Sequence, residues 1–528
     1  MFESQHLASL IHEESLLLAV VIAIAARYST ILANNRGPIV HRKLSKWIRQ
    51  RILDVFDGEP ALRCISTVEA LLLLTEWPLA PKTPASGRAD AASEEARLLS
   101  PSLRYDASSW TNIGLAVRLG QELGLHHAIS ANRKAPATWR EMRSLKTWVY
   151  CYTADRHIAV RLGRNAVFQE AMSSRWWEAT SSFVHSPQKR EDVWTSDAWI
   201  LGAIAQLMGT IQDHLYTNKD MTRSLLRTGA WEPFLRSLRL EIRYSKRATA
   251  HQLRDGSLSS ALLQIELDYV VLYAYSLALR ALQDKLRRRR QAGDVHYTAP
   301  SLLNLVEGPW IMEAASAARS IIETALNVLR ARGLLRYCPS RIFQFILFAT
   351  TFLYKALACG MVEEGQKKIA GMLDDIVSAL SSESIDDEHF VKGFAELLTR
   401  LGKHWKSGAS TNSPSVLNVE PSMREENRDS DPPAVLLTAP AAPAQNDTQH
   451  AMQLENIPIP GLNGTPPNLL ELGWNFNPVF QMPAADHEQD ILFQTIWDTS
   501  LQETDNETSN LYATLLGVSL NLPDGAGL

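Results

Sequence analysis

The sequence predicts an all-α protein, a large bundle of stacked helices followed by a disordered acidic C-terminal arm. Three observations predict this fold class. Apolar residues recur at helical spacing through the first 405 residues, and no stretch alternates with a period of two. The two longest apolar runs, Leu262–Leu279 and Ile342–Leu357, are longer than ordinary strands. The last hundred residues hold thirteen Asp and Glu but no Lys or Arg.

Apolar stripes mark the individual helices of the predicted body. One helix is predicted to begin with a capping box, in which the Ser66 hydroxyl and the Glu69 carboxylate each accept a backbone amide. Pro78 then stops this helix. Further stripes cover residues 145–152, 369–380 and 390–401. Asp386 is predicted to be the N-cap of the last of these helices.

Composition divides the chain into three parts. Residues 1–405 form the helical body. Residues 406–466 are rich in Pro, Ala, Ser, Asn and Gln, which predicts a disordered linker. Residues 467–528 are acidic and aromatic. The last hundred residues carry a net charge of −13, whereas the whole chain carries −4. The first 428 residues therefore carry +9. This segregation indicates a folded body with an acidic interaction tail.

The cysteines and the N-terminus exclude some classes of protein. The four cysteines are far apart and predict reduced thiols with no metal site and no cofactor; they are Cys64, Cys151, Cys338 and Cys359. The apolar run Leu16–Ala26 follows acidic residues, unlike a signal peptide, and is too short to cross a bilayer. We therefore expect a buried helix there and no membrane partner.

The segment from Trp110 to Arg164 holds the densest set of motif residues. Gly114 and Gly120 would let a neighbouring helix approach, and Gly124 would end its helix in a left-handed conformation. Asp155 lies on an apolar helix face and therefore needs a partner. The expected partners are Arg118, Arg161 and Arg164. A structural ion-pair centre is the preferred interpretation over catalysis.

A basic cluster follows the long apolar run and has two interpretations. It consists of Lys285, Arg287, Arg288, Arg289 and Arg290. Cations are favoured at the C-terminal end of a helix, which is the structural interpretation. A nuclear import signal in an exposed loop is the functional one. The sequence leaves both open.

The acidic tail contains apolar anchors. Trp474 and Phe476 lie in a nearly uncharged patch, and Phe493 and Trp497 form an i,i+4 pair after a run of acids. A short helix formed on binding would place such anchors on one face for a coactivator groove. We expect an activation segment, and docking of the tail on its own body is the alternative.

Enzyme-like patterns are incomplete. His12-Glu13-Glu14 lacks the second histidine of a zinc protease motif. Asp374-Asp375 and Asp386-Asp387 lack the third aspartate of the metal-binding helices of all-α isoprenoid enzymes. No G-x-S-x-G motif and no phosphate loop occur in the sequence. The expectation is that the protein is not an enzyme. An all-α enzyme of secondary metabolism stays the runner-up, with a corepressor or scaffold as a third hypothesis.

Several ordered motifs across residues 10–405 resemble the regulatory body, the middle homology region, of fungal zinc-cluster transcription factors. The residues that carry the resemblance in its central part are Trp110, Gly114, Arg118, Gly124, Trp148, Tyr152, Asp155, Arg156, Arg161, Gly163 and Arg164. Val149 stands where the family usually has a second tryptophan. Leu16–Ser29 and Thr67–Trp77 are similar to the first core helices, and the segments at Arg341 and at residues 386–389 to distal ones.

The resemblance implies a nuclear regulator of RNA polymerase II genes, of the kind that control amino-acid or secondary metabolism. It also implies DNA binding through a six-cysteine zinc cluster, which the four scattered cysteines of this sequence do not supply. Zinc is therefore expected only with a cluster outside these residues. The expected partners are a coactivator or the transcription machinery, with a homodimer and a small-molecule effector left open.

Overall fold

The computed structural model describes residues 11, 13–28, 36–81, 94–129, 139–168, 192–250, 253, 256–291, 305–358, 366–386 and 389–411. These residues form thirteen α-helices and, within the ranges given, no strand. The all-α prediction is confirmed. The linker and the acidic tail lie outside the described residues, so their predicted character stays a prediction.

The helices are numbered here in chain order. They are α1 Ser15–Tyr28, α2 Arg36–Phe56, α3 Ile65–Glu76, α4 Glu94–Glu122, α5 Trp139–Leu162, α6 Asp192–Leu215, α7 Lys219–Thr228, α8 Trp231–Thr249, α9 Leu258–Gln291, α10 Gly308–Thr324, α11 Ser340–Ala358, α12 Gln366–Ser382 and α13 Phe390–Thr411. A π-helical turn, Ala325–Arg330, extends α10. Helix α13 passes the predicted end of the body at residue 405.

The first three helices pack on one another through a small apolar core. Val20 of α1, Ile48 and Val55 of α2, and Leu74 of α3 are buried there. The predicted capping box at the start of α3 is wrong. Cys64 is the N-cap in an extended conformation, and its side chain makes no capping hydrogen bond to a backbone amide. The Glu69 carboxylate instead binds Arg143 of α5, because a charged, half-buried guanidinium is a stronger partner than a backbone amide.

The main core surrounds helix α9. Its apolar window, within Leu258–Lys285, is long enough to span a membrane, but 83% of that window is buried inside the helical body. Helices α6, α8, α10, α11 and α12 contribute many of the other buried side chains of this core, and α5, α7 and α13 contribute the rest of its helical members. Helix α9 is therefore the central helix of the body, as its apolar run predicts.

The close approach of α4 and α5 depends on one glycine. A Cβ atom on Gly120 would lie 3.0 Å from the Trp148 ring, which is fully buried. Gly114, by contrast, has no atom within 4 Å of a Cβ position, so the predicted helix contact there is wrong. Gly124 has a φ of +69° and ends its helix as predicted.

Candidate functional site

Five helices meet at a group of buried charged and polar side chains, which we call the buried junction. Its members come from helices that are far apart in the sequence: Glu76 of α3, Asp106 of α4, His157 and Arg161 of α5, Glu266 of α9, and Arg341 and Gln344 of α11. Charged groups at this depth are costly unless they are paired and hydrogen-bonded. The junction is therefore the most chemically distinctive interior site among the described residues.

Arg341 lies between two carboxylates. Its Nη1 is 3.1 Å from Glu76 Oε1, and its Nε donates to Glu266 Oε1 at 2.6 Å. Burial alone would lower the pKa of Arg341, but the two carboxylates outweigh it and raise the pKa. Burial raises the pKa of Glu266, which is completely inaccessible to solvent, and Arg341 opposes that rise. Arg341 therefore bridges a carboxylate of α3 and a carboxylate of α9.

Glu76 also caps helix α11. The Ser340 hydroxyl donates to Glu76 Oε2 at 3.3 Å, and the backbone amide of Arg341 is 3.5 Å from the same oxygen. A carboxylate is favoured at the N-terminal end of a helix, where amides are unpaired and the dipole is positive. The last residue of α3 thus fixes the first turn of α11.

A second ion pair completes the junction. Arg161 Nη2 is 3.1 Å from Asp106 Oδ1, and its Nη1 donates to Gln344 Oε1 at 2.8 Å. Burial raises the pKa of Asp106, whereas Arg161 and Gln344 act in the opposite direction. The Arg161 guanidinium also lies over the Tyr105 ring. This pair connects α5 with both α4 and α11.

His157 is buried beside these pairs in the neutral form. Its Nε2 lies 3.5 Å from Glu266 Oε2, and neither ring nitrogen has a hydrogen bond within the described ranges. Burial, assisted by Arg341, lowers the pKa of His157 to about 3. A neutral imidazole beside these ion pairs requires no counter-charge.

A cavity of about 40 Å³ adjoins the junction. Its walls include His157, Arg161, Tyr269, Arg341, Gln344 and Thr351. That volume holds about one or two water molecules, which suits the unpaired polar atoms around it. The Ser109 hydroxyl, which also lines it, donates to the Thr75 carbonyl rather than to His157. The arrangement is suited to holding helices together rather than to nucleophilic chemistry.

The predicted partner of Asp155 is wrong. Its Oδ2 accepts the backbone amide of Phe168 at 2.9 Å, and burial raises its pKa against the effect of that amide. The arginines expected to pair with it lie elsewhere. Arg118 is exposed, and the Arg164 guanidinium lies 5.4 Å from the Trp110 ring centre. Asp155 therefore holds the loop after α5 rather than an ion pair.

Arg156 assists Asp155 in holding that loop. Its Nη2 donates to the Phe168 carbonyl at 3.1 Å, and the guanidinium lies over the Tyr152 ring. The Phe168 ring packs edge-on against Trp148 and Tyr152. A Cβ atom on Gly209 would be 2.9 Å from Arg156 Nη1, so α6 needs glycine there. Gly163 turns the chain after α5 with a φ of +59°.

Residues 2–174 match the model of a protein family described as the fungal specific transcription factor domain. The chain contains a fungal specific transcription factor domain. Within the described residues the match covers helices α1 to α5, and with them Glu76, Asp106, His157 and Arg161 of the buried junction. Glu266, Arg341 and Gln344, the other members of the junction, lie after the matched segment in the chain.

A curated relative agrees with the domain assignment. The chain is similar to Transcription factor hmgR of Aspergillus fumigatus, with 23% identity over 521 residues. The alignment covers 90% of this chain and 66% of that protein, just under two thirds of its length. No solved structure matches the chain. The similarity to this transcription factor extends well beyond the transcription factor domain.

The basic cluster after the domain lies on a helix, not in a loop. Helix α9 continues through Gln291, so the whole cluster has helical backbone. Arg288 binds Asp284 at 2.8 Å, one turn earlier, and Lys285 Nζ is 3.6 Å from Glu307 Oε1. These contacts favour the structural interpretation, cations at a helix C-terminus, and make the predicted loop wrong.

Sequence reasoning missed most of the junction. Glu266 had a visible signal, because it is a carboxylate inside the apolar run Leu262–Leu279. A charge at such a position is expected to be paired in the core. Glu76, Asp106 and His157 gave no comparable signal, since their partners are distant in the sequence. The anchors Trp474, Phe476, Phe493 and Trp497 lie outside the described residues.

Proposed function

We propose that this protein regulates transcription by RNA polymerase II in the fungal nucleus, and that its helical body is the regulatory domain. The observation that carries the proposal is the fungal specific transcription factor domain over residues 2–174. The similarity to a protein named as a transcription factor covers 90% of this chain and supports the proposal. Both the domain match and the name of the relative favour a regulator over an enzyme.

The cysteines of this chain do not fit a zinc cluster. Cys151 lies in the middle of α5, and burial raises the pKa of its thiol. Burial also raises the pKa of Cys338 to about 12. Zinc requires clustered thiolates, and these thiols are separate and protonated. We therefore propose that residues 1–528 bind no stoichiometric zinc. Sequence-specific recognition of DNA would then not depend on a zinc cluster formed by these cysteines.

The body acts in this proposal as one coupled unit. Ion pairs at the buried junction connect α4 with α5 and connect α3 and α9 with α11, and the Arg161–Gln344 hydrogen bond joins α5 to α11. Arg27 of α1 reaches still further, because its Nη2 is 2.9 Å from Asp386 Oδ2, just before α13. A change at one end of the body therefore alters contacts at the other, as a regulatory domain requires.

A reporter assay tests the proposed activity. Residues 467–528, fused to an unrelated DNA-binding domain, should switch on a reporter gene in a fungal host. Replacing Phe493 and Trp497 with alanine should remove most of the output, because aromatic anchors dominate binding energy at interfaces. Glu503→Gln is the matched control and should change the output little. An expressed, nuclear but silent fusion would contradict the activation role.

The basic end of α9 is a candidate for nuclear import. Arg288 is exposed, and the cluster carries five cations in six residues. Arg288→Ala together with Arg289→Ala should move a fluorescent fusion of the full chain from the nucleus to the cytoplasm. An unchanged nuclear signal in that variant would leave these residues with the structural role alone.

A further inference from the structure

Helix α2 presents an unusual surface to solvent, which we call the α2 outer face. Its members are Ile39, Arg42, Lys43, Lys46, Leu53 and Phe56, all exposed. Ile39 is 52% exposed, Leu53 52% and Phe56 57%. The opposite side of the helix, with Ile48 and Val55, is buried against α1 and α3. Apolar side chains on the outer face therefore do not contribute to the core.

The same face is basic. Helix α2 has six Lys and Arg residues and one acid, Asp54. Arg51 pairs with Asp54 at 3.0 Å, and Arg49 donates to the Ala80 carbonyl. Besides Arg36 at the start of the helix, the cations left over for a partner are the exposed ones on the outer face, Arg42, Lys43 and Lys46. In the part of the chain that the structure describes, none of these three has an acidic partner.

We propose that residues 488–507 of the acidic tail dock on the α2 outer face and are thereby withheld from coactivators. This segment has six Asp and Glu and no Lys or Arg within 20 residues. It also contains the apolar anchors Leu492, Phe493, Ile496 and Trp497. Acids would meet the three cations while the anchors cover the exposed apolar side chains. The inference rests on the proposed activation role of the tail.

Other pairings fit less well. Duplex DNA would meet the cations but would gain nothing from Ile39, Leu53 and Phe56, because phosphates do not bind aliphatic groups. The basic end of α9 is a poorer site for the tail. Its Lys285 and Arg288 already pair with Glu307 and Asp284, and the neighbouring Trp231 is buried. The outer face of α2 combines free cations with exposed apolar surface.

Chain length permits the contact within one molecule. A linker of the predicted composition and about 75 residues spans roughly 45–50 Å on average. A compact body of about 400 residues has a radius of gyration of roughly 21 Å. The tail can therefore reach any face of the body, and a tethered segment binds at a high effective concentration.

A zero-length cross-linker tests the contact in the purified full chain. A carbodiimide joins lysine amines to carboxylates that touch them, so Lys43 and Lys46 should be linked to acids within residues 488–507. Mixing ¹⁵N-labelled and unlabelled chains distinguishes links within one molecule from links between two. Links absent from Lys43 and Lys46, or equally frequent at the exposed Lys367 and Lys368, would overturn the proposal.

A reporter assay on the full chain tests the consequence. Lys43→Glu with Lys46→Glu should release the tail and raise the output of a full-chain fusion by roughly five-fold or more. Lys367→Glu with Lys368→Glu is the matched control and should leave the output unchanged. Equal output from both variants would overturn the withholding of the tail. If residues 467–528 alone are silent, the activation role fails, whereas the cross-links still decide the docking.

Discussion

Removing Arg341 should destabilise the body strongly. Arg341→Met keeps most of the volume of the side chain but leaves the Glu76 and Glu266 carboxylates, 3.1 and 2.6 Å from the lost guanidinium, without their counter-charge. Breaking a buried ion pair from one side costs about 3–5 kcal/mol. For a body of about 400 residues the unfolding entropy is roughly 0.8 kcal/mol/K, so Tm should fall by roughly 4–6 °C.

The stability that Arg341→Met loses should depend on pH in a direction that can be worked out. Burial raises the pKa of Glu266, and Arg341 opposes this, so the variant raises it further. A carboxyl group whose pKa is higher in the folded than in the unfolded state costs stability once the pH exceeds the unfolded value. The deficit of the variant relative to the wild type should therefore shrink as the pH falls from 7 towards 5. Urea unfolding at both pH values measures it.

Two further variants make the test specific. Arg236→Met removes an exposed arginine that pairs with Glu232 one turn away, and should change stability by less than about 0.5 kcal/mol. Glu266→Gln added to Arg341→Met should restore part of the loss, because one buried charge is removed. If Arg341→Met is no more harmful than Arg236→Met, the interpretation of the junction as a buried charge network is wrong.

Three more predictions concern single residues. Gly120→Ala should cost about 1–3 kcal/mol in thermal unfolding because its Cβ would press on Trp148. Gly114→Ala should be neutral or stabilising, because nothing lies near its Cβ position. Equal effects of the two variants would contradict the close packing of α4 on α5 at Gly120. Burial, assisted by Arg27, lowers the pKa of His389 to about 3, so the folded protein loses stability as the pH falls below 6.5. His389→Phe should therefore lose about 1.4 kcal/mol less than the wild type between pH 7 and 5.5 in urea titrations; parallel curves would refute this. Asp155→Ala should cost about 1–3 kcal/mol by leaving a buried amide unpaired, and Asp155→Asn should cost less, which circular dichroism melting would show.

The helical architecture could be predicted from the sequence because it depends on local periodicity. The apolar run Leu262–Leu279 lies within α9, the central helix, and the stripe at residues 390–401 lies within α13. Gly124 ends its helix as expected, since a positive φ is a property of one residue. Patterns of this kind involve neighbours within a few positions of the sequence.

Side-chain partners could not be predicted in the same way. Glu69 was expected to cap its own helix but binds Arg143, 74 residues away. Asp386 was expected to cap α13 with its side chain, yet its carboxylate binds Arg27 of α1. In both cases a distant guanidinium is a stronger hydrogen-bond donor than the local amide. Which guanidinium arrives depends on tertiary packing, which spacing does not encode.

The position of the buried junction bears on modularity. The family match ends at residue 174, yet Glu76 and Arg161 within it depend on Arg341 and Gln344, more than 160 residues later. An excised fragment ending at that boundary would open these carboxylates and guanidiniums to water and lose the helix that shields them. The segment that matches the family model is therefore smaller than the unit of folding. Shuffling the matched segment alone into another protein would transfer the Arg161–Asp106 pair complete but would separate Glu76 from Arg341, so recombination should conserve α1 to α11 as one block.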